Sequence, residues 1–122
     1  MNNKNILSFL LLFVIIISCE KAPTQAQLQG TWTEVSDNPT KTKLIFVADS
    51  VLYYFHPPQI DTLVYKLDQK HRSIELTFFH NPNNIGVTSY EIDYHKNKKV
   101  LTIVGLLPTM QGGPPSVTDY KQ

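Results

Sequence analysis

The chain has a single cysteine, Cys19, among its 122 residues. One thiol excludes an internal disulfide, a cysteine-rich zinc site and a Cys-x-x-Cys redox pair. Charge of one sign is not in excess: 11 Lys and Arg oppose 10 Asp and Glu. No polybasic stretch suggests nucleic acid or anionic headgroups, and the small Lys96, Lys98, Lys99 cluster suits a solvated hairpin tip. Helical spacing of apolar residues is also missing after the first 27 positions. Catalytic signatures are lacking too, with no Gly-x-Ser-x-Gly, no His-Glu-x-x-His and no Gly-rich phosphate loop before a helix. Gly112-Gly113-Pro114-Pro115 has glycines but lies between strands, without a helix dipole to hold an anion. Glu34 can face inward on the first strand, yet one carboxylate does not make an acid–base pair. These absences predict a binding protein, not an enzyme, with no cofactor and no catalytic residues.

What is present begins with one apolar run. Met1 to Asn5 is polar with a lone lysine, Lys4, and positions 6–17 are apolar except for Ser8. Such a run is too short to span a bilayer, which takes ~20 residues. A positive start, a short apolar core and a small residue at its end form a secretory signal. The last four residues, Ile16-Ile17-Ser18-Cys19, resemble the lipobox of bacterial lipoproteins. The resemblance implies cleavage before Cys19, acylation of its thiol (palmitate is the usual chain type) and of the new amino group, and attachment to a membrane of the cell envelope, on the periplasmic or outer-membrane face. Two or three chains anchor stably, because each buried methylene contributes ~0.8 kcal/mol and one chain alone binds marginally.

Removing residues 1–18 from the 122-residue chain leaves 104, the size of one domain. Lys4 leaves with the leader, so the remainder carries 10 acidic residues against as many basic ones. Positions 19–27 are polar and read as a tether reaching at most ~30 Å, or as the approach to a short helix over 24–28. Residues 28–122 then alternate apolar and polar side chains in eight runs: 31–35, 43–47, 51–55, 63–67, 73–79, 89–94, 99–104 and 116–120. The predicted class is all-β, an eight-stranded antiparallel up-and-down barrel, with an open sandwich as the alternative. The connections alternate long and short, so an antiparallel meander gathers the long ones (36–42, 56–62, 80–88 and 105–115) at one rim. Seven of the 8 prolines fall on them. Closure removes the free sheet edges that an exported domain without disulfides must otherwise protect.

Leu28-Gln29-Gly30-Thr31-Trp32 resembles the Gly-x-Trp signature of the lipocalin superfamily, especially the small lipocalin-like lipoproteins of diderm bacteria. The likeness extends to Leu44-Ile45-Phe46, a tight hairpin at Asp49 and the ending Tyr120-Lys121. It implies that Gly30 turns the chain into the barrel, that Trp32 covers the closed end, and that a basic residue of the last strand, here Lys121, packs over the indole.

The interior is rich in aromatics: Phe46, Tyr65, Phe78, Tyr90 and Tyr94, joined by one of Tyr53 and Tyr54. Eight strands enclose room either to fill with side chains or to hold one small ligand. The first expectation is capture of a small apolar or amphipathic molecule by Tyr53, Tyr65, Tyr90, Tyr94 and Met110. The second is a protein-interaction or envelope-structural module that uses the long-loop rim and has no cavity. His56 and His80 share the rim with Asp61, while His71 and His95 belong to the other end. That set is too thin for a metal, and the histidines read as surface residues.

Overall fold

Alternation gives each strand one face that must be buried, and in the computed structural model eight such faces close on one another. The structure describes residues 21–81, 83–108 and 112–122. In chain order the strands are β1 (Gly30–Glu34), β2 (Lys43–Val47), β3 (Val51–His56), β4 (Gln59–Asp68), β5 (Ser73–Asn81), β6 (Asn84–His95), β7 (Val100–Val104) and β8 (Val117–Lys121). Each pairs antiparallel with its sequence neighbours, and β8 returns to β1 through Thr33↔Lys121 and Glu34↔Tyr120. The chain is therefore an all-β, eight-stranded up-and-down barrel.

The interior is lined by apolar side chains. Trp32, Leu44, Phe46, Leu52, Leu63, Tyr65, Ile74, Leu76, Ile92, Leu101, Ile103 and Tyr120 are all buried, and full burial of such a side chain contributes ~1.5–3 kcal/mol. The Phe46 and Tyr65 rings meet edge to face at 5.0 Å, a favoured aromatic geometry. The connection 48–50 fixes the register by setting Val47 opposite Val51, so Phe46 faces Leu52 and Leu44 faces Tyr54.

A short helix, α1 (Gln25–Leu28), closes the end where the short connections lie. Thr24 caps it, accepting from the Gln27 amide while the Gln27 side chain accepts from the Thr24 amide. Leu28 is wholly buried, and its carbonyl accepts a 2.8 Å hydrogen bond from Trp32 Nε1. The Gln29 amide donates to the Ala48 carbonyl, the Gln69 amide to the Pro23 carbonyl, and Lys21 bridges to Tyr94. Within the segment expected as a tether over 19–27, the short helix given as the alternative over 24–28 is the form seen. From residue 21 onward the segment is bound to the barrel, because its polar side chains satisfy backbone groups of the short connections. Cys19 lies outside the described residues.

Gly30 has φ +109°, a conformation that disfavours any side chain, and an added Cβ would meet Gln122 Nε2 at 3.3 Å. Trp32 is covered from below by Leu28, and Tyr94 meets it edge-on at 6.1 Å. Lys121 is exposed on the outer face, so the basic cover implied by the lipocalin likeness is corrected to these residues.

The rim also departs from expectation. Positions 56–62 and 80–88, expected as long loops, are mostly strand among the described residues: β3 and β4 turn through Pro57 and Pro58 alone, and β5 and β6 still pair at Asn81↔Asn84. Two long hairpins therefore rise past their neighbours. From Asn84 to Tyr90, β6 pairs only with β5 among the described residues, since pairing with β7 starts at Glu91↔Val104.

Candidate functional site

The five expected ligand contacts do not form one wall. Tyr53 points outward and is 38% exposed, whereas Tyr54 takes the inward position. Register decides this, because Leu44 and Phe46 face inward and their partners Tyr54 and Leu52 must follow. Tyr65 is buried at the closed end, donating its hydroxyl to the Ala48 carbonyl at 2.8 Å and accepting from Gln29 Nε2 at 3.2 Å. Tyr94 sits at the same end against Trp32. Tyr90 is half-buried and borders an open cleft of about 340 Å³ with His71, Arg72, Ser73, Ser89 and Glu91. Met110 lies outside the described residues.

The short connections carry structural ion pairs. Arg72 donates from Nε to Asp93 Oδ1 at 2.7 Å, shielding a carboxylate on the outer face of β6. His71 Nδ1 lies 2.7 Å from Asp68 Oδ2, and this contact holds the Asp68 carboxyl below its ordinary value of 3.8. At the other end His56 Nε2 lies 2.6 Å from Asp61 Oδ2 across the β3–β4 hairpin. Among the described residues no three His, Cys, Asp or Glu side chains could together hold a metal ion.

Beneath the rim, the inward alternation ends in polar groups. Glu34 is the last residue of β1, opposite Tyr120 on β8 and next to Thr42, whose carbonyl accepts from the Glu34 amide at 3.0 Å. Its side chain is buried and accepts from the Ser36 and Thr42 hydroxyls. The hydroxyl of wholly buried Tyr120 lies beside that of Thr42, which donates to Glu34 and keeps its lone pairs toward the tyrosine. Burial and then the neighbouring Glu34 push the Tyr54 hydroxyl up to about 12. Burial raises the Tyr120 hydroxyl as well. The sequence pointed to Glu34 as inward-facing but gave no sign of this company, because Thr42 lies in a loop and Tyr120 on another strand.

The outer face has the opposite character. On the outer face Val47 and Val51, which flank the closed-end connection 48–50, start a cross-strand row that runs through Val64 and Thr77 to Val87 in the rim half of β6. Phe55 pairs with Ile60, and Phe79 with Ile85, above it. Ile60, Phe79, Ile85 and Val87 are each more than half exposed. Toward the closed end the same face turns polar, with Lys66 opposite Glu75, and Glu91 opposite Ser73. The apolar half amounts to on the order of several hundred Å², a size that marks an interaction surface more often than scatter. Sequence reading missed it, since its alternation runs with the apolar residues outward.

Compared with family models, with curated proteins and with solved structures, the chain gives no match.

Proposed function

We propose that this protein is a lipid-anchored envelope lipoprotein whose barrel presents the two long hairpins to another envelope protein. The observation that carries the reading is the exposed apolar outer face of the hairpins, where Ile60, Phe79, Ile85 and Val87 are each more than half exposed. Apolar side chains left uncovered on an outer face are ones a protein partner can cover. The partner buries these side chains with an apolar face of its own, because Lys43 and Lys66 on the same face lie at the border of the apolar surface. The anchor end supports the same reading. Lys21 sits at the closed end, so a lipid on Cys19 two residues earlier leaves the hairpins facing away from the bilayer.

Site-specific photocrosslinking in the cells that make the protein tests this. A photoreactive side chain at Val87 is expected to give one discrete heteromeric adduct, and one at Glu75 on the polar half none. Ile85→Asp, checked for folding by circular dichroism, is expected to abolish the adduct. Equal adducts from both positions, an adduct of the protein with itself, or no adduct at all would refute the assignment.

A further inference from the structure

Resting on the docking surface described above, we propose how the contact is made: the partner adds an extended segment of its own chain, as a further strand, to the open edge of β6 at Ile85, Val87 and Ser89. In an antiparallel sheet, alternate residues of a strand direct their N–H and C=O groups to opposite sides. The Ile92 amide donates to the Arg72 carbonyl at 2.9 Å, so the even-numbered residues of β6 bond on the β5 side. The odd-numbered ones face β7, where Glu91, Asp93 and His95 are matched with Val104, Thr102 and Val100. β7 ends at Val104, and the amide of the next residue, Gly105 at φ +84°, donates to the Ser116 carbonyl at 2.6 Å. The N–H and C=O groups of Ile85, Val87 and Ser89 therefore point to a side where, among the described residues, no strand pairs with them and no hydrogen bond reaches them.

The edge is also accessible. Ile85, Val87 and Ser89 are exposed, and a Cβ added to Gly86 would meet nothing within 4 Å. Native edges are commonly blunted by a charged side chain, a proline or a bulge. Asn84-Ile85-Gly86-Val87-Thr88-Ser89-Tyr90 has neither charge nor proline, and the register shift of this hairpin, between Phe79 and Asn81, falls on β5 at the tip.

Donors and acceptors alternating at ladder spacing are the complement of an extended peptide, and strand addition draws its affinity from them. The added strand would set its apolar side chains beside Ile85 and Val87 and so continue the exposed apolar surface. A second copy fits less well. Two-fold symmetry would pair β6 with β6 antiparallel, which places the two closed ends on opposite sides, where one bilayer cannot anchor both.

Amide hydrogen exchange on the purified mature protein in detergent is expected to be fast at Ile85, Val87 and Ser89. It is expected to be slower, by roughly tenfold or more, at Gly86, Thr88 and Tyr90. Equal protection of both sets would overturn the proposal. In the cells that make the protein, the photoreactive side chain at Val87 is combined with Ser89→Pro. This change removes an N–H on the open side, places a ring where the incoming carbonyl would lie, and leaves the apolar surface untouched. A free edge tolerates proline at such a position. The heteromeric adduct is expected to fall by roughly fivefold or more, while Ser89→Ala keeps it at the parent level. An undiminished adduct with Ser89→Pro, when Ile85→Asp abolishes it, would overturn strand addition and leave the docking surface standing. No adduct from the parent chain would refute the docking surface and strand addition together. If Ser89→Pro does not fold, the exchange contrast decides alone.

Discussion

Replacing Leu28 by alanine tests whether α1 is the floor of the barrel or a passenger beneath it. Leu28 is 0% exposed, and its carbonyl holds the only tryptophan through Nε1 at 2.8 Å. Truncating a buried leucine to alanine costs about 2–5 kcal/mol, and the spread follows the cavity left behind at ~24 cal/mol per Å³. Here the floor can settle only a little. α1 is tied laterally by its Gln25 and Gln29 amides to Tyr65 and Ala48, and by Pro23 to Gln69. A loss of about 3 kcal/mol is therefore expected, in the middle of that range. For a domain of this size that lowers the melting temperature by roughly 12 °C or more. Urea unfolding followed by Trp32 fluorescence gives the number, provided the slope matches the parent protein. Hydrogen exchange at the Leu28 amide, which donates to the Thr24 carbonyl at 3.1 Å, reports the helix directly. A cost below about 1 kcal/mol, together with an unprotected Leu28 amide in the parent protein, would refute the account of the closed end.

Two further outcomes follow from other parts of the molecule. Cys19→Ser is expected to move the protein from the membrane fraction to the soluble envelope fraction, and a variant that stays with the membrane would remove the basis for the anchor. The folded state holds the Tyr54 proton up to about 12 against an ordinary 10.0, so this residue's contribution to stability is complete below pH 10 and declines between 10 and 12. In a titration read at 295 nm, Tyr54→Phe should delete one late-ionising tyrosine and reduce the alkaline loss of stability. An unchanged late phase would contradict the burial of its hydroxyl.

Most of the barrel was legible because its interior positions alternate without interruption. Leu63, Tyr65 and Leu67 on β4, and Ile74, Leu76 and Phe78 on β5, declare their faces, and Gly30 and Trp32 mark the entry. The hairpin ends were not legible, for a definite physical reason. Above the closed wall the inward positions no longer reach a core, so they carry Gln59, Asp61, Gly86 and Thr88. The backbone ladder continues after its side-chain signal has stopped, and proline and asparagine at the tips complete the disguise. Tyr53 was misplaced for a simpler reason: adjacent tyrosines look alike until the register with Leu44 is applied. Glu34 and Thr42 meet across the β1–β2 connection, and only closure of β8 on β1 adds Tyr120 to them. A site made by ring closure leaves no local motif.

Where the last strand finishes has a practical consequence. The side-chain amide of Gln122 donates to the Gln29 carbonyl, so the final residue is fastened where the chain first enters the sheet. A reporter attached behind Gln122 would sit at the closed end, whereas the same reporter spliced into the exposed Gly112–Pro115 turn would sit toward the rim. Tagging the two places separately would label the two poles of one cylinder.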